Sequence, residues 1–327
     1  MFTFRHYCVD LHHAPQQPKQ DATDIRFADV IIHGNAAFTQ VPHIALLGVP
    51  QHIGVERNGG RGGAGAAPEA IRAWLNRLTI SNGTDSISSD IRIADYGNIN
   101  TNGKTLEEIH EAQQEAVTQL LREGAFVLVL GGGHDIAYPN GAALGSLGKT
   151  VGIINFDAHL DVRPFNEHGR HSGSPFRQLI EDPAVHIPGG CFAEFGIQSF
   201  SAAAAHMQYV LENGHHITMM HHIHANGFTE SLSNTWNAIS QAENVYCSFD
   251  IDGVSSAYAP GASAPSADGF TPRNMFDAAL FIGAQKQTKL VDIVEVNPFY
   301  DLDARTSKLA ATIAAHCIWA RAQALCM

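Results

Sequence analysis

Charge is scarce in this chain: Asp, Glu, Lys and Arg make up 16% of its 327 residues, and the formal net charge is -12. With 20 basic residues against 32 acidic ones, a broad electrostatic grip on nucleic acid or an anionic membrane is excluded. The same balance does not steer an acidic substrate, so such a substrate would need a local basic pocket. Cysteine is sparse as well. Cys8, Cys191, Cys247, Cys317 and Cys326 are scattered without CxxC spacing, which excludes a disulfide framework and reads as reduced thiols of a cytoplasmic protein. No apolar run approaches the roughly 20 residues of a membrane span. The stretch MFTFRHYCVDLHHAP has no basic flank leading into a long apolar core, so no signal peptide is expected. Tandem repeats and low-complexity linkers are absent too.

What is present is enough apolar residue, 45%, for a sizeable core. The first 41 residues are irregular and polar and read as an N-terminal extension packed on a catalytic domain spanning 42–327. HIALLGVP (43–50) reads as a first buried strand, and the glycine-rich GVERNGGRGGAGAAPEAIRAWL runs into a helix entered through Pro68. That loop lacks GxxxxGK[ST] and a tight GxGxxG turn, so a flexible loop over a pocket is expected rather than a phosphate cradle. TLEEIHEAQQEAVTQLLREG is an amphipathic helix with Gly124 as its stop. AFVLVLGG, TVGIINFD, VYCSFD and KLVDIVEVN read as further strands with helices between them. Near-continuous apolar strands suit a mostly parallel sheet covered on both faces, a single three-layer αβα domain of the α/β class. GHHITMMHHIH (214–224) reads as strand and loop with exposed or internally bonded imidazoles, surface metal scavenging being the sharper alternative.

Four of these strands end in polar residues: His134 after the second, Asp157, His159 and Asp161 after the third, Asp250 and Asp252 after the fourth, Glu295 and Asn297 after the last. In a parallel sheet all strand C-termini lie on one edge, where ligands bind. The spacing therefore predicts that two imidazoles and four aspartates converge. Two carboxylates about 4 Å apart repel by roughly 4 kcal/mol at an effective dielectric near 20, so four in one pocket require cations or protons. Residues i and i+2 of an extended segment point the same way, which aims each group together. A carboxylate-rich set with two imidazoles and no thiolate favours ions such as Mn²⁺, and six ligands suit two metals sharing carboxylates.

These residues stand in GGGHD, NFDAHLD, SFDIDGVSSAYAPGASAP and DIVEVNP, and in that order they resemble the ureohydrolases, the family of arginase, agmatinase and formimidoylglutamase. The resemblance runs from about Pro42 onward and implies an arginase-like fold and two Mn²⁺ per chain. It implies that His134 binds one ion, that the second motif supplies Asp157, Asp161 and, for the other ion, His159, and that the third supplies Asp250 and Asp252, with Asp157 and Asp250 bridging. It also places Glu295 against the cationic amidine or guanidine of a substrate whose C–N bond is cleaved by activated water, Asp252 helping to stabilise the tetrahedral intermediate. A homo-oligomer is expected.

Departures from the arginase-like pattern narrow the expectation. Arg163 stands where arginases carry Asn, and Ser172 where they carry a proton-shuttling His before Gly-x-Pro. His171, one place early, is then the candidate shuttle. Ser263 and Ala264 replace the common Gly and Thr of the APG loop. DAHLDVR, SGSPFRQ and APGASAP together look like the formimidoylglutamase branch, which hydrolyses N-formimidoyl-L-glutamate to L-glutamate and formamide in histidine degradation. Physical reasoning agrees: that substrate is a dicarboxylate without a free α-amine, and a guanidinium at the rim binds a carboxylate and opposes an amine. Arg163 is the expected contact, with Ser172 beside it and Arg177 a second candidate. The bland alternative for Arg163 is a salt bridge with Glu167 or an aspartate, and for Arg177 a pair within its own helix. Another ureohydrolase, a silent metal-binding relative and a single-zinc deacetylase are the competing readings.

Overall fold

The computed structural model describes residues 3–9, 21, 23–164 and 169–327; Glu167 lies outside them. Ten strands are present among these: β1 (Cys8–Val9), β2 (Ile31–His33), β3 (Ile44–Gly48), β4 (Ile93–Ile99), β5 (Phe126–Leu130), β6 (Val151–Phe156), β7 (Phe192–Ile197), β8 (His216–Met219), β9 (Asn244–Asp250) and β10 (Thr288–Val294). They form one sheet in the order β1-β4-β3-β5-β10-β9-β6-β7-β8, with β2 also on β4. Every pairing is parallel except that of β1.

Side chains of a strand alternate between faces, and here both faces are apolar. Ile44 and Leu46 of β3 and Phe126, Leu128 and Leu130 of β5 enter one core. Ala45, Leu47, Val127 and Val129 enter the other. The first core is closed by helices Ala67–Leu75, Phe228–Ile239, Pro272–Ala284 and Arg305–Cys326. The second is closed by Leu106–Arg122, Ala137–Gly145, Pro175–Glu181 and Ala204–Glu212. This is the three-layer α/β architecture expected from the apolar strands. Local signals place the helices: Thr105 and Glu108 form a reciprocal capping box, Gly124 adopts φ +83° just past the helix end, and Pro68 opens Ala67–Leu75.

Several segments differ from the sequence reading. The residues before Pro42 add β1 and β2 to the sheet, both on β4. The histidine-rich stretch is β8 followed by a helix, Met220–Asn226, rather than by a loop. Among the described residues, the clusters of three or more metal-competent side chains all lie elsewhere. The glycine-rich loop is pinned. Arg61 donates Nη2 to Ala262 O (2.6 Å) and Nε to Ser263 O (3.1 Å), its guanidinium lies 4.0 Å from the Tyr300 ring centre, and Asn297 Nδ2 donates to Gly62 O (3.1 Å). Among the described residues no helix is long and apolar enough to cross a membrane.

Candidate metal centre

The order β5-β10-β9-β6 sets side by side the four strands whose ends carry the expected site residues. Two groups form there. His134 Nδ1 lies 2.9 Å from Asp161 Oδ2, 2.9 Å from Asp250 Oδ2 and 3.4 Å from Asp157 Oδ2. His159 Nδ1 lies 3.3 Å from Asp252 Oδ1 and 3.4 Å from Asp157 Oδ1. Asp157 belongs to both groups. All six residues expected to converge do so, and His134 and Asp157 are fully buried.

The local chain is bent to this purpose. Asp161 and Glu295 adopt left-handed φ values of +46° and +63°, conformations that cost a non-glycine residue about 1–3 kcal/mol each and that cluster at functional sites. Backbone amides orient the acids: His159 N donates to Asp157 Oδ1 and Asp252 N to Asp250 Oδ1, each at 2.8 Å. The loops after β6 and β9 also touch closely. A Cβ on Gly253 would stand 3.0 Å from Asp157 Cα, so a residue without one brings Asp252 to its neighbours.

Behind the first group runs a buried relay. His134 Nε2 lies 2.9 Å from Ser248 Oγ, and the Ser248 hydroxyl donates to Asp292 Oδ1 at 2.6 Å. Tyr246 OH and Asn140 Nδ2 donate to the other oxygen of Asp292. Because the serine proton is committed to Asp292, its oxygen accepts Nε2–H, and Nδ1 is left as the free ring nitrogen. Asp157 has its own support: Asn155 Nδ2 donates to Asp157 Oδ2 (3.0 Å) and to Glu194 Oε2 (2.9 Å). Burial and then the charge of Asp157 push the Glu194 carboxyl well above its ordinary range.

The electrostatics show what the donor set suits. Burial would lower the His134 imidazole, but Asp157, Asp161 and Asp250 outweigh it and drive it well above 6.5. Asp252 and Asp157 likewise raise His159 against its burial. Burial opposes the ionised form of Asp157, yet the two imidazoles hold it well below the carboxylate range. Asp250 is raised by burial and by its acidic neighbours, and Asp252 is pushed up to about 6, chiefly by burial. His134 Nδ1 and Asp252 Oδ1 are both buried without a hydrogen-bond partner. Each imidazole is driven to hold a proton between carboxylates, the place a divalent cation would take with Nδ1 as a ligand, so the donor set fits two divalent ions of hard or borderline character.

Around the cluster the other expected residues divide. Glu295 Oε1 accepts the His134 amide at 2.8 Å, while Oε2 is buried with no partner. Burial pushes this carboxyl up to about 8, with the Ser263 hydroxyl working in the opposite direction. Arg163 is exposed and donates Nη1 to Asn58 Oδ1 at 3.2 Å; among the described residues no carboxylate pairs with it. Ser172 Oγ accepts from Asn58 Nδ2 at 3.2 Å. His171, the expected shuttle, is held at both ring nitrogens by backbone: Nδ1 accepts from Gly173 N (3.2 Å), and Nε2 lies 3.4 Å from Pro164 O. A shuttle role would require breaking those contacts. Arg177 lies in neither group; it pairs with Glu181 at 2.8 Å and stacks over Tyr209. Its helix-pair alternative is the one the geometry favours. Asn58, Ser248, Asp292 and Glu194 were not singled out in the sequence. Ser248 and Asp292 carried a weak signal, as polar positions inside apolar strands that end in site residues.

Comparison with known proteins matches this geometry. The sequence model of the Arginase family fits residues 42–319. A formimidoylglutamase of Klebsiella pneumoniae is 34% identical over 273 residues, 83% of this chain and 83% of that protein. A crystal structure of Trypanosoma cruzi formiminoglutamase with Mn²⁺ superposes with a TM-score of 0.83 at 34% identity, covering 91% of this chain and 99% of that one. Formimidoylglutamase from Bacillus subtilis gives a TM-score of 0.85 at 25% identity over 95% of this chain and 96% of that one. With its family pattern running through all four strand ends that build the centre, the chain belongs to the arginase family.

Proposed function

We propose that this chain is a binuclear-manganese hydrolase that cleaves N-formimidoyl-L-glutamate to L-glutamate and formamide, a step of histidine degradation. The observation that carries this reading is the pair of imidazole–carboxylate groups sharing Asp157, with the guanidinium of Arg163, which no carboxylate neutralises among the described residues, on the loop that follows them. The names of the Klebsiella, Trypanosoma and Bacillus relatives support the choice of substrate.

His134, Asp157, Asp161 and Asp250 would hold one ion, and His159 and Asp252, with the shared carboxylates, the other. Bound there, the two ions would supply water acidified toward neutral pH and neutralise the acids. The protein's own part is binding and orientation. The unpartnered Oε2 of Glu295 accepts the amidine N–H, Arg163 takes a substrate carboxylate, and the Ser248–Asp292 relay fixes the ring of His134. Water adds to the amidine carbon, the bond from that carbon to the glutamate nitrogen breaks, and the nitrogen leaves with a proton.

The catalytic unit in this reading is 42–327, with 1–41 an extension. Cys191, Cys247, Cys317 and Cys326 are in no disulfide, which supports a cytoplasmic location. The exposed Phe200, Phe299 and Leu302 suit a homo-oligomer. A panel of substrates with Mn²⁺ tests the assignment, with formamide and urea both measured. Formamide from formimidoylglutamate is the expected result; urea from arginine, agmatine or guanidinobutyrate without formamide would overturn it.

A further inference from the structure

Asn58 follows the short helix Ile53–Arg57 in the glycine-rich loop, and its amide joins two residues of the neighbouring loop. Oδ1 accepts from Arg163 Nη1 and Nδ2 donates to Ser172 Oγ, both at 3.2 Å. The side chains of Arg163 and Asn58 are wedged against Gly173. A Cβ there would stand 2.9 Å from both Arg163 Cδ and Asn58 Nδ2, and Arg163 N donates to Gly173 O at 2.8 Å. The stem of Arg163 is therefore packed and its head is held, and the loop that holds it is anchored in turn by Arg61 and Asn297.

The chemical nature of the holder matters. Arg57, Arg72 and Arg177 each pair with an acid, so their charge is spent within the fold. Arg163 is held by a neutral amide. One Nη1 proton is used for direction, while among the described residues the positive charge and the other N–H donors stay free for a ligand carboxylate. Ser172, fixed by the same amide, keeps its own hydroxyl proton to donate.

We propose that Asn58 is a positioning residue for substrate specificity: it orients Arg163 and Ser172 as one carboxylate-recognition unit without neutralising the guanidinium. The proposal rests on the reading above only in taking the ligand to be a carboxylate.

The test is a double-mutant cycle on the manganese-loaded protein, comparing the parent, Asn58→Ala, Arg163→Ala and the double variant. L-Glutamate binding is followed by calorimetry, and kcat and KM by formamide release. Asn58→Ala should weaken L-glutamate binding and raise KM by about tenfold, the loss falling on KM rather than kcat. The two losses should be clearly less than additive in the double variant, because Asn58 acts largely through Arg163. The near-isosteric Asn58→Asp should raise KM further than Asn58→Ala, since a carboxylate would occupy Arg163. Additive losses, or an Asn58→Asp protein that behaves like the parent, would overturn the proposal. A parent that binds L-glutamate with a non-additive cycle but releases no formamide would support the role of Asn58 and sink the hydrolase assignment. A parent that binds no L-glutamate would defeat both.

Discussion

His134 and His159 face opposite oxygens of one carboxylate: Nδ1 of the first lies 3.4 Å from Asp157 Oδ2, and Nδ1 of the second 3.4 Å from Asp157 Oδ1. One side chain thus serves both halves of the centre. Replacing it with the isosteric Asn removes the one charge that both halves share. Asp157→Asn should lose most of its bound manganese by elemental analysis, and formamide release should fall by about 10³-fold or more. Circular dichroism should show the fold retained. A fully active, metal-replete variant would refute the shared-carboxylate geometry.

Ser248 never reaches the cluster, yet it decides which nitrogen of His134 is free. Ser248→Ala removes the acceptor for Nε2–H and leaves Asp292 short of a donor. Metal affinity should fall by about 10–100-fold. Titration against a chelator of known affinity measures this, and KM for substrate at saturating metal should move far less.

Arg163→Met removes the guanidinium while keeping a long apolar stem against Gly173. KM for formimidoylglutamate should rise by about 10–100-fold, the worth of a charge-assisted hydrogen bond. Arg163→Lys should recover only part of that, because an ammonium is a point charge without the planar fork. Steady-state kinetics on the three proteins decide it, and equal KM values would remove Arg163 from the substrate site.

His215, outside both imidazole–carboxylate groups, makes the stability of the fold depend on pH. Burial first, and then the charge of His216, depress its imidazole from 6.5 to about 4. It packs edge-on to Phe192 and is held neutral in the fold. A proton therefore binds the unfolded chain more readily than the folded one. This contribution to stability is full above about pH 6.5 and is lost as pH falls toward 4. Leucine keeps the packing and removes the titration. In denaturant melts of metal-free protein, the stability difference between parent and His215→Leu should be constant above pH 6.5 and shift in favour of the variant below it. A difference that stays flat down to pH 4 would contradict this account.

Much of the centre was legible because two periodicities coincide. Apolar strands stop at one sheet edge, and the i, i+2 spacing of Asp157, His159 and Asp161 and of Asp250 and Asp252 turns each set to one side. What escaped reading has a common cause, polar residues satisfied by partners far along the chain. β4 carries Asp95 and Asn98 in a buried strand, and both are bound by Arg72 from the helix Ala67–Leu75. β7 carries Glu194, held by Asn155. Neither segment looks like a buried strand until its partner is known. Asn58 was hidden for a related reason: its loop looked like a flexible cover, and only tertiary contacts reveal the anchors at Arg61 and Asn297.

The place of β10 has a consequence for how the protein is made. It is the last strand in the sequence, yet it lies between β5 and β9, near the middle of the sheet. While the ribosome is still short of residue 294, the block built on β3 and β5 and the block built on β6, β7 and β9 have no strand to join them. His134 belongs to the first block and the aspartates to the second, so a nascent chain holds the two halves of its centre apart. Assembly must wait for late, sequence-distant pairing, the slow kind. Metal capture should accordingly follow chain completion, and fragments that end before β10 should bind metal poorly and expose the bare flanks of β5 and β9 to other chains.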